Sequence, residues 1–207
     1  MGHFLFLWST SDIPGPVANP PAGHRITLLD QYEFDDLADT GLMAFDGLIV
    51  SMHADQRHLM QHQQRLDHFV EQRSLMVNGP VAHCFLPEFT AAYVPLPKRG
   101  LREMAVTVLD RSDIFAGINN DDLTYQRGVA GFWGRGVQAH PQNARILTAL
   151  GEDRTPFDWS IIRPGGGRLL VHPGNDLWTF CDGTKSSNRA WPQALDWLVA
   201  GQKRARS

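Results

Sequence analysis

Cysteine is scarce in this chain: two in 207 residues, Cys84 and Cys181, far apart and with no CxxC pairing. That excludes a disulfide-stapled scaffold and a cysteine-rich metal knuckle, and it fits a reducing, cytoplasmic setting. Excess positive charge is also missing, with 19 Lys and Arg against 22 Asp and Glu and a net charge of −3. No basic field draws in phosphate backbones, so nucleic acid is not an expected partner. The one basic cluster is the tail Lys203-Arg204-Ala205-Arg206. Long apolar runs are absent too. Nothing approaches the ~20 residues of a membrane span, so no membrane partner is expected, and the apolar start from Gly2 to Trp8 lacks the basic flank and length of a signal core. It reads as a buried first strand. No repeat of fixed period is present.

What is present is ordinary globular material, 43% hydrophobic and 20% charged, enough for a core and sized for one domain over 1–207. Short apolar runs at 4–8, 25–29, 47–51, 74–78, 104–109, 128–133, 159–162 and 168–172 read as strands. Most are continuous rather than alternating, the pattern of strands covered on both faces in a mainly parallel α/β sheet. Residues 54–73 read as a helix with Leu59, Leu66, Phe69 and Val70 on one face. Further helices are expected at 141–150, between Pro141 and Gly151, and at 191–200. The stretches 9–23 and 87–100, rich in proline and glycine, read as loops.

Ligands of open α/β sheets sit beyond the carboxyl ends of the strands. The most informative segment runs from Pro164 to Asp176: a Gly165-Gly166-Gly167 turn feeds the strand Arg168-Leu169-Leu170-Val171-His172, followed by Pro173-Gly174-Asn175-Asp176. The glycines precede a strand instead of opening a helix, so they make a turn and not a phosphate cradle. Arg163 and Arg168 are expected to pack on tryptophan across it. His53, His83 and His172 are the candidate acid/base residues, and Asp55, Asn78, Gly79, Asn175 and Asp176 the candidate ligand-binding ones. Asp55 has an alternative role as a helix cap. His140 is a weaker candidate. His58 and His62 stand four apart, which places two imidazoles on one helix face, but no third ligand is specified and a solvated face is the simpler reading. No metal is therefore assigned, and no motif names a cofactor. Cys84 lies one helical turn beyond Asn78-Gly79-Pro80, not in the turn itself, so it reads as a buried structural thiol.

The order of segments resembles the ThuA-like (trehalose utilisation) family of the class I glutamine amidotransferase-like superfamily. The resemblance runs through Phe45-Asp46-Gly47-Leu48-Ile49-Val50, the helix with Gln63 to Val70, and Leu109-Asp110-Arg111-Ser112-Asp113-Ile114-Phe115-Ala116-Gly117-Ile118. It ends at Pro156-Phe157-Asp158-Trp159 and Gly167-Arg168-Leu169-Leu170-Val171-His172-Pro173-Gly174. It implies a flavodoxin-like three-layer sandwich with a mainly parallel sheet, and a small polar, carbohydrate-related ligand. Where superfamily amidotransferases place cysteine, this chain has Val77-Asn78-Gly79-Pro80, so glutamine hydrolysis by a cysteine triad is not expected. His83 falls in the neighbourhood of a family histidine, Arg111-Ser112 replaces the family's His-Pro step, and His172 precedes Pro-Gly instead of following Gly. The competing reading is a non-catalytic interaction or assembly subunit, compatible with a homo-oligomer, with six tryptophans and Gly131-Phe132-Trp133-Gly134 as aromatic anchors.

Overall fold

The computed structural model describes residues 1–10, 12–21, 23–126, 128–181 and 183–200, so the basic cluster at 203–206 lies outside the described residues. Seven strands form the central sheet: β1 His3–Trp8, β2 Arg25–Asp30, β3 Gly47–Val50, β4 Ser74–Asn78, β5 Arg145–Ile146, β6 Trp159–Ile162 and β7 Arg168–His172. Their spatial order is β5-β6-β7-β4-β3-β1-β2. The five strands from β7 to β2 are parallel, and β5 and β6 add an antiparallel edge.

The continuous apolar runs are buried on both faces because their side chains alternate between two cores. Phe4, Phe6, Ile49, Met76 and Leu170 pack on one face with helix α3, Ala190–Ala200. Leu5, Leu7, Leu48, Val50, Leu75, Val77, Leu169 and Val171 pack on the other with α2, Gln63–Gln72, through Leu66, Phe69 and Val70. Each such leucine contributes about 1.5–3 kcal/mol by leaving water. A one-residue slip would exchange the two faces, so the apolar pattern pins the register.

Several expectations are corrected. The 54–73 helix is two helices, α1 Gln56–Gln61 and α2, with the break at His62. The expected helix at 141–150 is instead β5 followed by Thr148–Leu150, which pairs with Val106–Val108 in a separate antiparallel sheet. The run Ile146 to Leu150 finds strand partners on two sides, and that tertiary pairing outweighs the helix signals at its ends. The strand expected at 104–109 therefore lies outside the central sheet, and at 128–133 only Val129–Ala130 pairs, with Tyr125–Gln126. Among the described residues, no helix is long and apolar enough to cross a membrane.

The glycine turn makes β6 and β7 a hairpin and rests on the end of α2, where the Glu71 backbone oxygen accepts from Gly167 N at 3.1 Å and its Oε1 from Gly165 N at 2.8 Å. Arg163 does not stack on Trp159. It makes two 2.8 Å bonds to the Glu88 carboxylate and one of 2.7 Å to Asp67. Arg168 does stack, over Trp197, with its guanidinium carbon 4.8 Å from the ring centroid. Replacing Arg163 by Met would strand Glu88, whose side chain is 12% exposed. The expected cost is about 2 kcal/mol in urea unfolding, below the ~3–5 of a fully buried pair because Asp67 faces water. A change under ~0.5 kcal/mol would show Glu88 to be solvated.

Candidate functional site

At the carboxyl edge the parallel register sets His172 opposite Asn78. Asn78 is buried, donating from Nδ2 to Val50 O at 3.1 Å and accepting from Leu177 N at 3.3 Å. It thereby ties β3, β4 and the segment after β7 together. Gly79 follows in the left-handed region, at φ +87°, and donates its N–H to His172 O at 2.9 Å. A side chain there would both strain the backbone and strike Met52, so the turn carries no nucleophile.

His172 is 1% exposed and its Nδ1 lies 2.5 Å from Asp158 Oδ1. The other Asp158 oxygen accepts from Trp133 Nε1 at 2.8 Å and Thr148 Oγ1 at 2.5 Å. Trp133, Phe157 and Phe180 surround the imidazole with ring centroids at 4.6, 5.7 and 6.3 Å. Its Nε2 is buried and has no hydrogen-bond partner among the described residues. In a neutral imidazole, a carboxylate that accepts a hydrogen bond from Nδ1–H orients the ring so that Nε2 presents a lone pair. Gly174 lies against it: a Cβ there would sit 2.7 Å from Nε2 and on the Trp133 carbonyl oxygen. Only glycine lets the chain pass that closely.

Gly174 and Asn175 also line a cavity of about 320 Å³, shared with Met52, Pro80, Tyr93, Phe132 and Arg135. Beside it Asp176 is buried, accepting from Met52 N at 2.8 Å and Ser51 Oγ at 3.0 Å. Burial raises its carboxyl to about 6, although those two bonds and the nearby His53 and His172 pull the other way. A carboxyl tuned towards neutrality in such a place can exchange a proton.

The edge thus gathers Asn78, Gly79, His172, Asn175 and Asp176. Of the other three candidates, His53 lies near Asp176 at this edge, and Asp55 and His83 lie along the rim of α1. His53 is exposed, with Ser9 Oγ donating to its carbonyl at 3.2 Å. Asp55 is the α1 N-cap, accepting from Arg57 N at 2.9 Å and His58 N at 3.3 Å. His83 is half-buried and its Nε2 accepts from Arg57 Nε at 3.4 Å. Cys84 is a free thiol packed against the α2-side core. His140 Nδ1 lies 3.1 Å from Pro141 O. Asp158, Thr148 and Trp133 are not among the site residues read from the sequence, where Trp133 is read as an aromatic anchor and Asp158 only as part of the Pro156–Trp159 resemblance. A signal exists for Asp158: a glycine turn between two strands implies a hairpin, and Trp159 pairs with Val171, so the next rung sets Asp158 opposite His172.

No family model matches the chain, and no curated protein matches it. Solved structures do. A Thermoplasma acidophilum protein provisionally assigned as part of a GMP synthase aligns over 100% of this chain and 98% of its own, at 11% identity and TM-score 0.63. The N-terminal domain of mmIFT52 aligns over 95% and 97%, at 12% identity and TM-score 0.59. A provisionally assigned ThuA-like protein from Bacteroides uniformis aligns over 96% and 91%, at 11% identity and TM-score 0.54. At such identities the likeness concerns the fold, and with the seven-stranded sheet it makes this chain a flavodoxin-like α/β sandwich.

Proposed function

We propose that the chain is a ThuA-like protein that binds or processes a small polar, carbohydrate-related molecule at the carboxyl edge of its sheet, without a cysteine nucleophile. The observation that carries this reading is the buried His172–Asp158 pair, whose bare Nε2 lies behind Gly174 at the wall of the 320 Å³ cavity. In this reading His172 takes or returns a proton, Arg135 and Asn175 hold ligand hydroxyls, and Tyr93 and Phe132 supply apolar faces. His172 is 1% exposed, so contact with a ligand requires Gly174 and residues 131–135 to move aside.

The test is calorimetric titration with a panel of monosaccharides, disaccharides including trehalose, and polyols. Saturable binding is expected, weakened about tenfold or more by Arg135→Ala or Asn175→Ala, since each removes a hydrogen bond worth roughly 1–3 kcal/mol. His172→Gln should abolish turnover while leaving affinity within about threefold. Absence of saturable binding across the panel, or binding indifferent to both cavity variants, overturns the reading. The turn at Gly79, which holds no nucleophile, favours one second reading, a ligand-binding or assembly protein without turnover. The proposed aromatic anchors do not support it, because Trp133, Trp159, Trp178, Trp191 and Trp197 are buried in the cores.

A further inference from the structure

We propose that His58, His62 and Asp35 form a binding site for a divalent transition-metal ion of the zinc type, separate from the carboxyl-edge cavity. One ligand atom from each of the three lies within 4.8 Å of the others. Atoms bound at about 2.0–2.1 Å to one tetrahedral ion stand about 3.3 Å apart, so small side-chain rotations close the set. The helix face carrying the histidines is not a solvated one. His58 is only 8% exposed, and its buried Nε2 has no hydrogen-bond partner among the described residues. His62 Nε2 is 2.6 Å from Asp35 Oδ1, so two of the three donors already stand side by side next to the unpartnered His58 nitrogen. A buried imidazole nitrogen with nothing to bond costs free energy that a metal ion would return.

The surroundings hold the three residues in place. Asp35 ends the short 3-10 helix Gln31–Asp35, which is clipped to the start of α1: Gln31 Nε2 donates to Asp55 O at 2.7 Å, and Gln31 Oε1 accepts from Asp55 N at 2.8 Å. Tyr32 packs edge-on against His58 at 5.2 Å and Phe34 against His62 at 5.2 Å. Arg65, itself paired with Asp39 at 2.7 Å, donates to Phe34 O at 2.7 Å from the far side. The break between α1 and α2 falls at His62 and leaves both rings together, with centroids 4.8 Å apart. Two imidazoles and a carboxylate are the donor set of zinc and its neighbours and not of calcium or magnesium. They leave a fourth position, and His62 lines an open hollow of about 700 Å³ from which water or an anionic ligand could fill it.

The probe is cobalt(II) alone, followed by visible absorption and calorimetry on the whole chain. The expected result is one equivalent bound with the intense spectrum of a four-coordinate ion. Asp35→Asn, at an exposed position, should weaken binding by about tenfold or more, and His62→Gln by about 100-fold, while His140→Gln leaves it unchanged. Circular dichroism checks that each variant is folded. Calcium should not compete. No stoichiometric binding, or binding untouched by Asp35→Asn and His62→Gln in folded protein, overturns the site. Neither outcome bears on the sugar titration, which reads a different cavity.

Discussion

Replacing Asp158 by Ala should cost about 3–5 kcal/mol of unfolding free energy. The carboxylate satisfies three buried groups at once, His172 Nδ1, Trp133 Nε1 and Thr148 Oγ1, and its loss leaves all three in a dry, aromatic setting. An unpaired buried donor costs about 1–3 kcal/mol, and the three share one site, so the total falls short of their sum. Urea unfolding at neutral pH measures this, and a loss below ~1.5 kcal/mol would mean that water reaches the pair. The isosteric Asp158→Asn separates stability from orientation. Its single acceptor oxygen serves Trp133 and Thr148, which turns the amide N–H towards His172 and forces the ring to accept at Nδ1. The proton then moves to Nε2, and the acceptor facing Gly174 is lost. Asp158→Asn should therefore be folded, within about 2 kcal/mol of the parent, and defective in any reaction that uses His172 as a base.

Asp176 gives the second large effect, and it depends on pH. Its native carboxyl is raised to about 6 from an ordinary 3.8, chiefly by burial. Between those values the native state holds the proton more tightly than the unfolded chain, so this residue's contribution is fully present below about pH 4 and lost as pH rises through 6. Two pH units correspond to about 3 kcal/mol. Asp176→Asn keeps an acceptor for Met52 N and a partner for Ser51 without the buried charge. It should be more stable than the parent by up to about 3 kcal/mol at pH 7.5, with the gap closing near pH 4. Unfolding midpoints across that range decide the matter, and parallel profiles for the two proteins would show that Asp176 is ionised at no cost.

The parallel half of the sheet is legible in the sequence because continuous apolar runs encode burial on two faces, and β4, β6 and β7 have the bounds those runs give. Less legible is the direction of β6. Its apolar pattern is the same for either direction, and only the short glycine turn distinguishes a hairpin from a crossover. Reading that turn as a hairpin also exposes Asp158, which otherwise lies hidden between Phe157 and Trp159. His172, Asn78 and Asp176 are visible as polar residues ending apolar strands. Asp55 and His83 have the same signature, and what sends them to the rim is the start of α1, where Asp55 is taken up as a cap. The metal triad is half-visible: the four-residue histidine spacing can be read locally, whereas Asp35 reaches it only because β2 and β3 flank β1 and end on the same edge.

The proposed function requires that His172 offer an unprotonated Nε2 behind Gly174, with Asp158 accepting from Nδ1. Long-range proton–nitrogen NMR of the ring tests this directly. The expected spectrum is that of the tautomer with its proton on Nδ1 and a bare Nε2, with a reversal to the other tautomer in Asp158→Asn. A parent protein carrying its proton on Nε2, or showing no change on that substitution, would contradict it.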